Sequence, residues 1–411
     1  MTHHYVQDPR AVQRLHEGPL GPYIDAYAAE LQAEGYAPQS AEVKIRLVAD
    51  FSRWLAKQRL LPAEITLNHL SSYLRSRMRH RRPRRDDRVT LRRLWNLLRR
   101  QGVTPDPALP TPTPAAQVHD SFRCYLRQER ALAPATLVSY LGFVGEFLTL
   151  RFGAGPVDLA SLCAADVTGF VQRRAATLRS RRVQQLTTAL RAFLRFARAR
   201  GMLLTDLAAC VPAVANWSLS TVPRALPPGQ VEAVLAACNR QSAVGRRDYA
   251  ILLLLARLGL RAGEVVALTL EDLDWQAGVL TVRGKGGHAS PLPLPVEVGE
   301  AIAAYVQQGR PPAASRCVFL RARAPVRSFQ GSQAVGSVVR HALIRAGVES
   351  PRKGAHQFRH GLACQLLRQG ASLTEIGELL RHRSPQTTAI YAKVDLAALA
   401  PLALAWPGGA R

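Results

Sequence analysis

The sequence predicts a mainly helical protein of several domains whose last domain adds a small antiparallel β-sheet, an α+β arrangement. Three observations point there. The stretch from about Gln117 to Met202 carries apolar residues at helical spacing (Leu137, Tyr140, Leu141, Val144, Phe147, Leu148) and no alternating run of comparable length. Two stretches, Thr104 to Ala115 and Pro212 to Pro228, are rich in proline and read as linkers. Beyond them, GVLTVRGKGGHASPLPL places two short alternating runs around Gly284, Gly286 and Gly287, the pattern of a β-hairpin with Lys285 near its tip.

In chain order, residues 1–103 form a first helical domain, 104–116 a linker, 117–211 a second helical domain, 212–225 another linker, and 226–411 the last domain. The first helical domain reads as a copy of the second. GYAPQSAEVKIRLVADFSRWL matches ALAPATLVSYLGFVGEFLTL with Pro38 on Pro134 and Phe51 on Phe147, both 96 positions on. Each copy has a basic run: Arg75, Arg77, Arg79, Arg81, Arg82, Arg84, Arg85 and Arg88 in the first, and Arg173, Arg174, Arg179, Arg181 and Arg182 in the second. A solvated helix face mixes acids among its bases as i,i+4 partners, and here only Asp86 and Asp87 lie nearby. The clustering suits contacts to nucleic-acid phosphates.

Composition agrees. The 411 residues include 55 Lys plus Arg against 29 Asp plus Glu, a formal net charge of +26 that calls for a polyanionic partner. With 47% apolar and 20% charged residues the chain has the makeup of a folded protein, unlike a disordered basic tail. Its longest uninterrupted apolar run, Ala250 to Ala256, falls far short of the roughly 20 residues of a membrane span. The start, MTHHYVQDPRAVQR, has no apolar signal core, so a cytoplasmic protein is expected. Six separated cysteines without a CxxC pair read as reduced packing residues. Arginine supplies almost all the positive charge, and only Lys44, Lys57, Lys285, Lys353 and Lys393 are lysine.

The last domain concentrates chemistry. Arg261 and Glu264 in GLRAGEV stand at i,i+3, the spacing of an ordinary helical ion pair. In HQFRHGLACQLLRQGASLTEIGELLRHRSPQTTAIYAKV, Ser372 and Glu375 make a capping box that predicts a helix from Leu373 to about His382. Ser384 followed by Pro385 predicts a second helix carrying Tyr391. His356 and Arg359 share one face of an earlier helix. His356 and His360 also have the i,i+4 spacing of H-E-x-x-H zinc sites, with His382 a third candidate ligand. Gln357 stands where that motif has its glutamate, and Arg359 opposes a divalent cation, so no metal is expected. Two arginines with histidines suit a transferring phosphoryl group instead.

Arg261, Lys285, His356 with Arg359, His382 and then Tyr391, in this order and spacing with GLRAGEV, GKGG and ELLRH around them, closely resemble the tyrosine recombinase (phage integrase) family over about Leu226 to Asp395. The helical segment before it resembles the family's core-binding domain. The resemblance implies a multi-domain clamp on DNA and a site-specific recombinase or integrase serving integration, excision or transposition of a mobile element. It makes Tyr391 the nucleophile, forming a 3′-phosphotyrosyl link. Arg261 and Arg359 would bind the phosphate oxygens, His356 and His382 would donate hydrogen bonds, and Glu264 would orient Arg261. Lys285 would be the general acid, a task unsuited to arginine, which does not readily release a proton. No metal, nucleotide or other cofactor is implied, and the chain has no G-x-x-x-x-G-K-[ST] loop. The implied partners are double-stranded DNA recombination sites and further protomers, as a tetrameric synapse of this chain or an assembly with related recombinases. The apolar tail LAALAPLALAWPGGAR would dock on a neighbouring protomer. Type IB topoisomerase activity and a catalytically silent DNA-binding helper are the neighbouring alternatives. Two departures stand out: the extra N-terminal copy, and Arg381 where the family usually has glycine before its histidine.

Overall fold

The computed structural model describes residues 5, 8–80, 84, 86–106, 113–153, 155–215, 223, 225–284, 288–350 and 353–394. Arg81, Arg82, Arg85, Lys285 and the tail from Leu396 lie outside the described residues.

The first segment is a bundle of helices Pro9–Leu15, Ile24–Ala33, Pro38–Lys57, Leu67–Met78 and Asp87–Arg100. Local chemistry sets their starts. Asp8 accepts the Arg10 amide at 3.0 Å, Thr66 takes that of His69, and Pro38 begins its helix where the missing N–H costs nothing. The apolar faces meet in a core that fully buries Tyr27, Val48, Phe51, Leu91 and Leu98. Each large side chain there contributes about 1.5–3 kcal/mol of transfer free energy.

The second segment has helices Pro114–Gln128, Pro134–Phe152, Ala164–Ala175 and Ser180–Ala199 around its own core, which includes Phe122, Phe147, Phe170 and Phe193. It repeats the last four helices of the first bundle in order. Both place a short 3-10 turn between the second and third of those helices, Pro62–Glu64 and Leu159–Ser161. Both enter the second helix from a left-handed residue, Gly35 (φ 76°) and Ala131 (φ 45°). An aromatic pair also recurs, Phe51 with Tyr73 at 5.0 Å between centroids and Phe147 with Phe170 at 5.2 Å.

The third segment surrounds helix Ala243–Arg257, whose residues 250–256 are all buried. Around it lie helices Pro228–Ala236, Ala262–Ala267, Val296–Gln308, Ser332–Arg345, His356–Arg368, Leu373–Leu379 and Pro385–Thr388, followed by a 3-10 turn, Ala389–Val394. Three antiparallel strands, β1 (Leu273–Asp274), β2 (Val279–Arg283) and β3 (Ala289–Pro293), form a sheet of order β1-β2-β3. Arg283 pairs with Ala289 and the Gly284 amide donates to the His288 carbonyl at 2.8 Å, so β2 and β3 form the expected antiparallel pair.

By their contacts, Met1–Pro107 and Val222–Arg411 make one compact unit and Ala108–Thr221 another. Within the first unit, the Val326 amide donates to the Glu34 carbonyl at 2.9 Å. The Val326 side chain fits a notch at Gly35, where a Cβ would stand 2.8 Å from Val326 Cγ2. Gly35 is thus required twice, by its positive φ and by this approach. No helix among the described residues is long and apolar enough to cross a membrane.

Candidate active site

Arg261 caps helix Ala262–Ala267, and Glu264, one turn in, answers it. The Arg261 amide donates to Glu264 Oε2 at 2.8 Å and Nη1 donates to Oε1 at 2.7 Å. Arg381 Nη2 reaches the same Oε2 at 3.0 Å. Burial opposes the charge of Glu264, but the amide and guanidinium of Arg261 and the charge of Arg381 outweigh it and hold the carboxyl below its ordinary range. The ion pair expected from the i,i+3 spacing is therefore present, and it carries a second arginine.

That second arginine accounts for the departure noted at position 381. The helix beginning at Leu373 stops at Leu379, short of His382, because Arg381 adopts a left-handed conformation (φ 54°). Glycine takes this conformation without the Cβ penalty, of order 1–2 kcal/mol, that any other residue carries there. In this chain the penalty is offset by the buried Arg381–Glu264 ion pair. The long cation goes to the carboxylate and does not crowd His382.

Arg359 is 3% exposed. It donates to the carbonyls of Gly259 and Leu380, tying the turn before Arg261 to the turn before His382. Burial, then Arg261 and Arg381, push it down to about 10, so it remains charged at neutral pH. Gly259 (φ 58°) makes this closeness possible, since a Cβ there would sit 2.7 Å from Leu380 Cδ2.

His356 opens helix His356–Arg368 and lines an open groove of about 560 Å³ with Arg261, Glu264, Arg283, Gly284 and Ser332. His382 Nδ1 and Thr388 Oγ1 share a 2.7 Å hydrogen bond. Burial, then Arg359, Arg261 and Arg381, push His382 down to about 4 and leave it neutral.

Tyr391 lies on the 3-10 turn that follows the four-residue helix Pro385–Thr388, so the second helix expected here is one α-turn extended by a tighter one. Its ring is 1% exposed among Ala363, Cys364, Ile376 and Leu380. Burial pushes the hydroxyl up to about 12, with Arg359 and Arg261 pulling the other way. The structure thus brings Arg261, Glu264, Arg359, His382 and Tyr391 into one electrostatic cluster beside the groove that His356 lines.

His360 is the residue that motif reading passed over, having weighed it only as a zinc ligand. Its Nδ1 is 2.9 Å from Tyr391 Oη, and its ring meets the tyrosine edge-on at 5.7 Å. Its i,i+4 relation to His356 was the available signal, and the rings stand 6.2 Å apart. Among the described residues no group of three or more His, Cys, Asp or Glu is placed to hold a metal ion.

The arginine runs divide. Arg77 pairs with buried Asp87 at 3.2 Å and Arg174 with Glu146 at 2.9 Å, so both brace their bundles. Arg75, Arg79, Arg84, Arg88, Arg173, Arg179, Arg181 and Arg182 are exposed. Arg182 also stacks over Phe143 at 4.4 Å.

Residues 224–397 match the model of the phage integrase family, and residues 120–201 match that of the phage integrase N-terminal SAM-like domain. The chain is similar to y4rA of Sinorhizobium fredii, which bears an integrase/recombinase name, with 48% identity over 99% of this chain and 100% of the relative. It is 33% identical to the tyrosine recombinase XerD of Mycobacterium leprae, over 67% of this chain and 92% of XerD. A lambda integrase dimer bound to a core site has a similar fold, with a TM-score of 0.52 at 18% identity over 67% of this chain and 94% of that one.

Proposed function

The chain belongs to the phage integrase family of tyrosine recombinases, and from that premise we propose that it cuts and rejoins DNA at specific sites through a 3′-phosphotyrosyl link to Tyr391. The observation that carries the assignment of roles is that Arg359 bonds the carbonyls of Gly259 and Leu380, joining the turn before Arg261 to the Leu380 wall against which Tyr391 packs. A phosphodiester bound by Arg261, with the Arg359 charge behind it, would meet the phenol at the same place. Arg261 then binds non-bridging oxygens from its half-exposed position, held by Glu264, while Arg359 supplies fixed positive charge from behind. His356 and His382 donate to the developing charge. Lys285 follows Gly284, which lines the groove, and protonates the leaving 5′-oxygen.

The phosphotyrosyl bond retains the energy of the broken linkage, so the reaction proceeds without ATP, and the guanidinium groups take the place a metal would fill. The exposed arginines of both bundles contact backbone phosphates around the site, each adding about 0.9 to the logarithmic salt slope on duplex DNA. Two sites are brought together by a tetramer of this chain or by an assembly with a related recombinase, to integrate, excise or transpose a mobile element in the cytoplasm. The lambda integrase dimer bound to its core site supports DNA as the partner.

The test is Tyr391→Phe on a nicked suicide substrate. The covalent adduct should vanish while site binding stays within about threefold. An adduct that persists would remove Tyr391 from this role.

A further inference from the structure

We propose that His360 is a catalytic residue, the general base that takes the Tyr391 proton during strand cleavage and returns it during resealing. This rests on Tyr391 being the nucleophile and concerns a step which that assignment leaves open.

A phenol pushed up to about 12 does not ionise alone at neutral pH, so attack on phosphorus needs a base in contact with the hydroxyl. Among the described residues the hydrogen bond of Tyr391 Oη is to His360 Nδ1. The edge-on ring contact fixes the imidazole's orientation, and Ala363 and Cys364 wall the pair on the same helix. The other histidines are placed for other work. His382 spends Nδ1 on Thr388, and His356 stands at the exposed mouth of the groove. Arg359 and Arg261 have no acceptor atom.

Burial, then His356 and Arg359 on its own helix, push His360 down to about 4. His382 faces it from the following turn and Tyr391 from the last one, with Arg359, Arg261 and Cys364 acting on the hydroxyl. Imidazole is therefore neutral in the free protein, and its Nδ1 lone pair accepts the tyrosine O–H. Burial first, and these neighbours after it, make it a weak base in the absence of a phosphate. A phosphodiester anion on Arg261, in front of Arg359, offsets the Arg359 charge that adds to burial and His356 in suppressing protonation of His360. DNA binding thus arms the nucleophile, and the tyrosine stays protonated without DNA.

The step balances. As Oη bonds to phosphorus, its proton passes to Nδ1, the bond from phosphorus to the 5′-oxygen breaks, and that oxygen takes a proton from Lys285. Resealing reverses each transfer, with imidazolium protonating the departing tyrosine oxygen.

His360→Phe keeps a ring against Tyr391 without a lone pair, and His360→Asn keeps an acceptor near the Nδ1 position without a base. Both variants and Tyr391→Phe are compared with wild type on the suicide substrate, from pH 6 to pH 9.5, with DNA binding and circular dichroism measured in parallel. Each His360 variant should bind DNA normally and cleave at least about 100-fold more slowly at pH 7, within the usual range for loss of a general base. The deficit should shrink by about tenfold per pH unit above pH 7, as solvent hydroxide takes the proton. Resealing of preformed adduct should slow as well. Recovery of cleavage in His360→Asn to within about threefold of wild type would reduce His360 to a positioning residue and overturn the proposal. A deficit equal at every pH, or no deficit in either variant, would overturn it too. Should Tyr391→Phe still form adduct, the nucleophile assignment fails instead, so the two failures are distinct.

Discussion

Arg381 illustrates how a single residue balances conformation against charge. Its backbone sits in left-handed space at φ 54°, and its guanidinium is held by Glu264, which Arg261 also binds. Losing the ion pair and relieving the backbone are separable. Arg381→Met keeps the strain and drops the charge pair, whereas Arg381→Gly drops both. Chemical denaturation should therefore find Arg381→Met the less stable of the two by about 1 kcal/mol, the order of the left-handed Cβ penalty. Equal stabilities, or the reverse order, would show that the strain at this position is negligible. Arg381 and its φ could not be foreseen together: the residue is plain in the sequence, but its conformation follows from the carbonyl of Leu380 being turned toward Arg359.

At the scale of elements, the site is built at three chain turns, and Gly259 is where two of them meet. The turn after helix Ala243–Arg257 must pass against Leu380 with φ 58°, which lets the Gly259 carbonyl accept from buried Arg359. In Gly259→Ala the new methyl would stand 2.7 Å from Leu380 Cδ2 in a strained backbone. Stability should fall by about 1–3 kcal/mol. Cleavage at saturating DNA should fall further than stability alone explains, because Arg359 and His382 are displaced together. A variant with lowered melting temperature but wild-type cleavage below its transition would refute that coupling. The hairpin, the capping box at Ser372 and the proline start at Pro385 were legible in sequence, since each is set by residues within a few positions. Where the helix from Leu373 stops, and that Tyr391 rides on a 3-10 turn, depended on partners more distant in the chain.

At the scale of the molecule, the first bundle packs against the 321–327 loop of the last segment through Glu34, Gly35 and Val326. Arg93 lies close to Arg327 and over Tyr36, which also feels Arg321, so the contact surrounds a tyrosine with cations. Val326→Lys adds another cation and replaces the apolar fit. Calorimetry should then show the first bundle melting separately at a lower temperature, while cleavage by Tyr391 on a suicide substrate is retained. A single transition unchanged from wild type would mean that this contact does not couple the two segments.

By itself the sequence determined the helical segments with their hairpin, the family, and the identity and order of Arg261, Lys285, His356, Arg359, His382 and Tyr391. Residue type, spacing and local capping all act over short stretches of chain, which is why they can be read without a fold. Tertiary structure alone decided that Arg77 and Arg174 turn inward to acids while their neighbours stay exposed, and that Arg381 answers Glu264 117 residues away. It also decided that the Tyr391 hydroxyl meets His360 and neither of the histidines named by the motif. Hydrogen bonds and ion pairs in a buried site are chosen by which atoms the packed core brings within about 3 Å, and no local pattern encodes that distance.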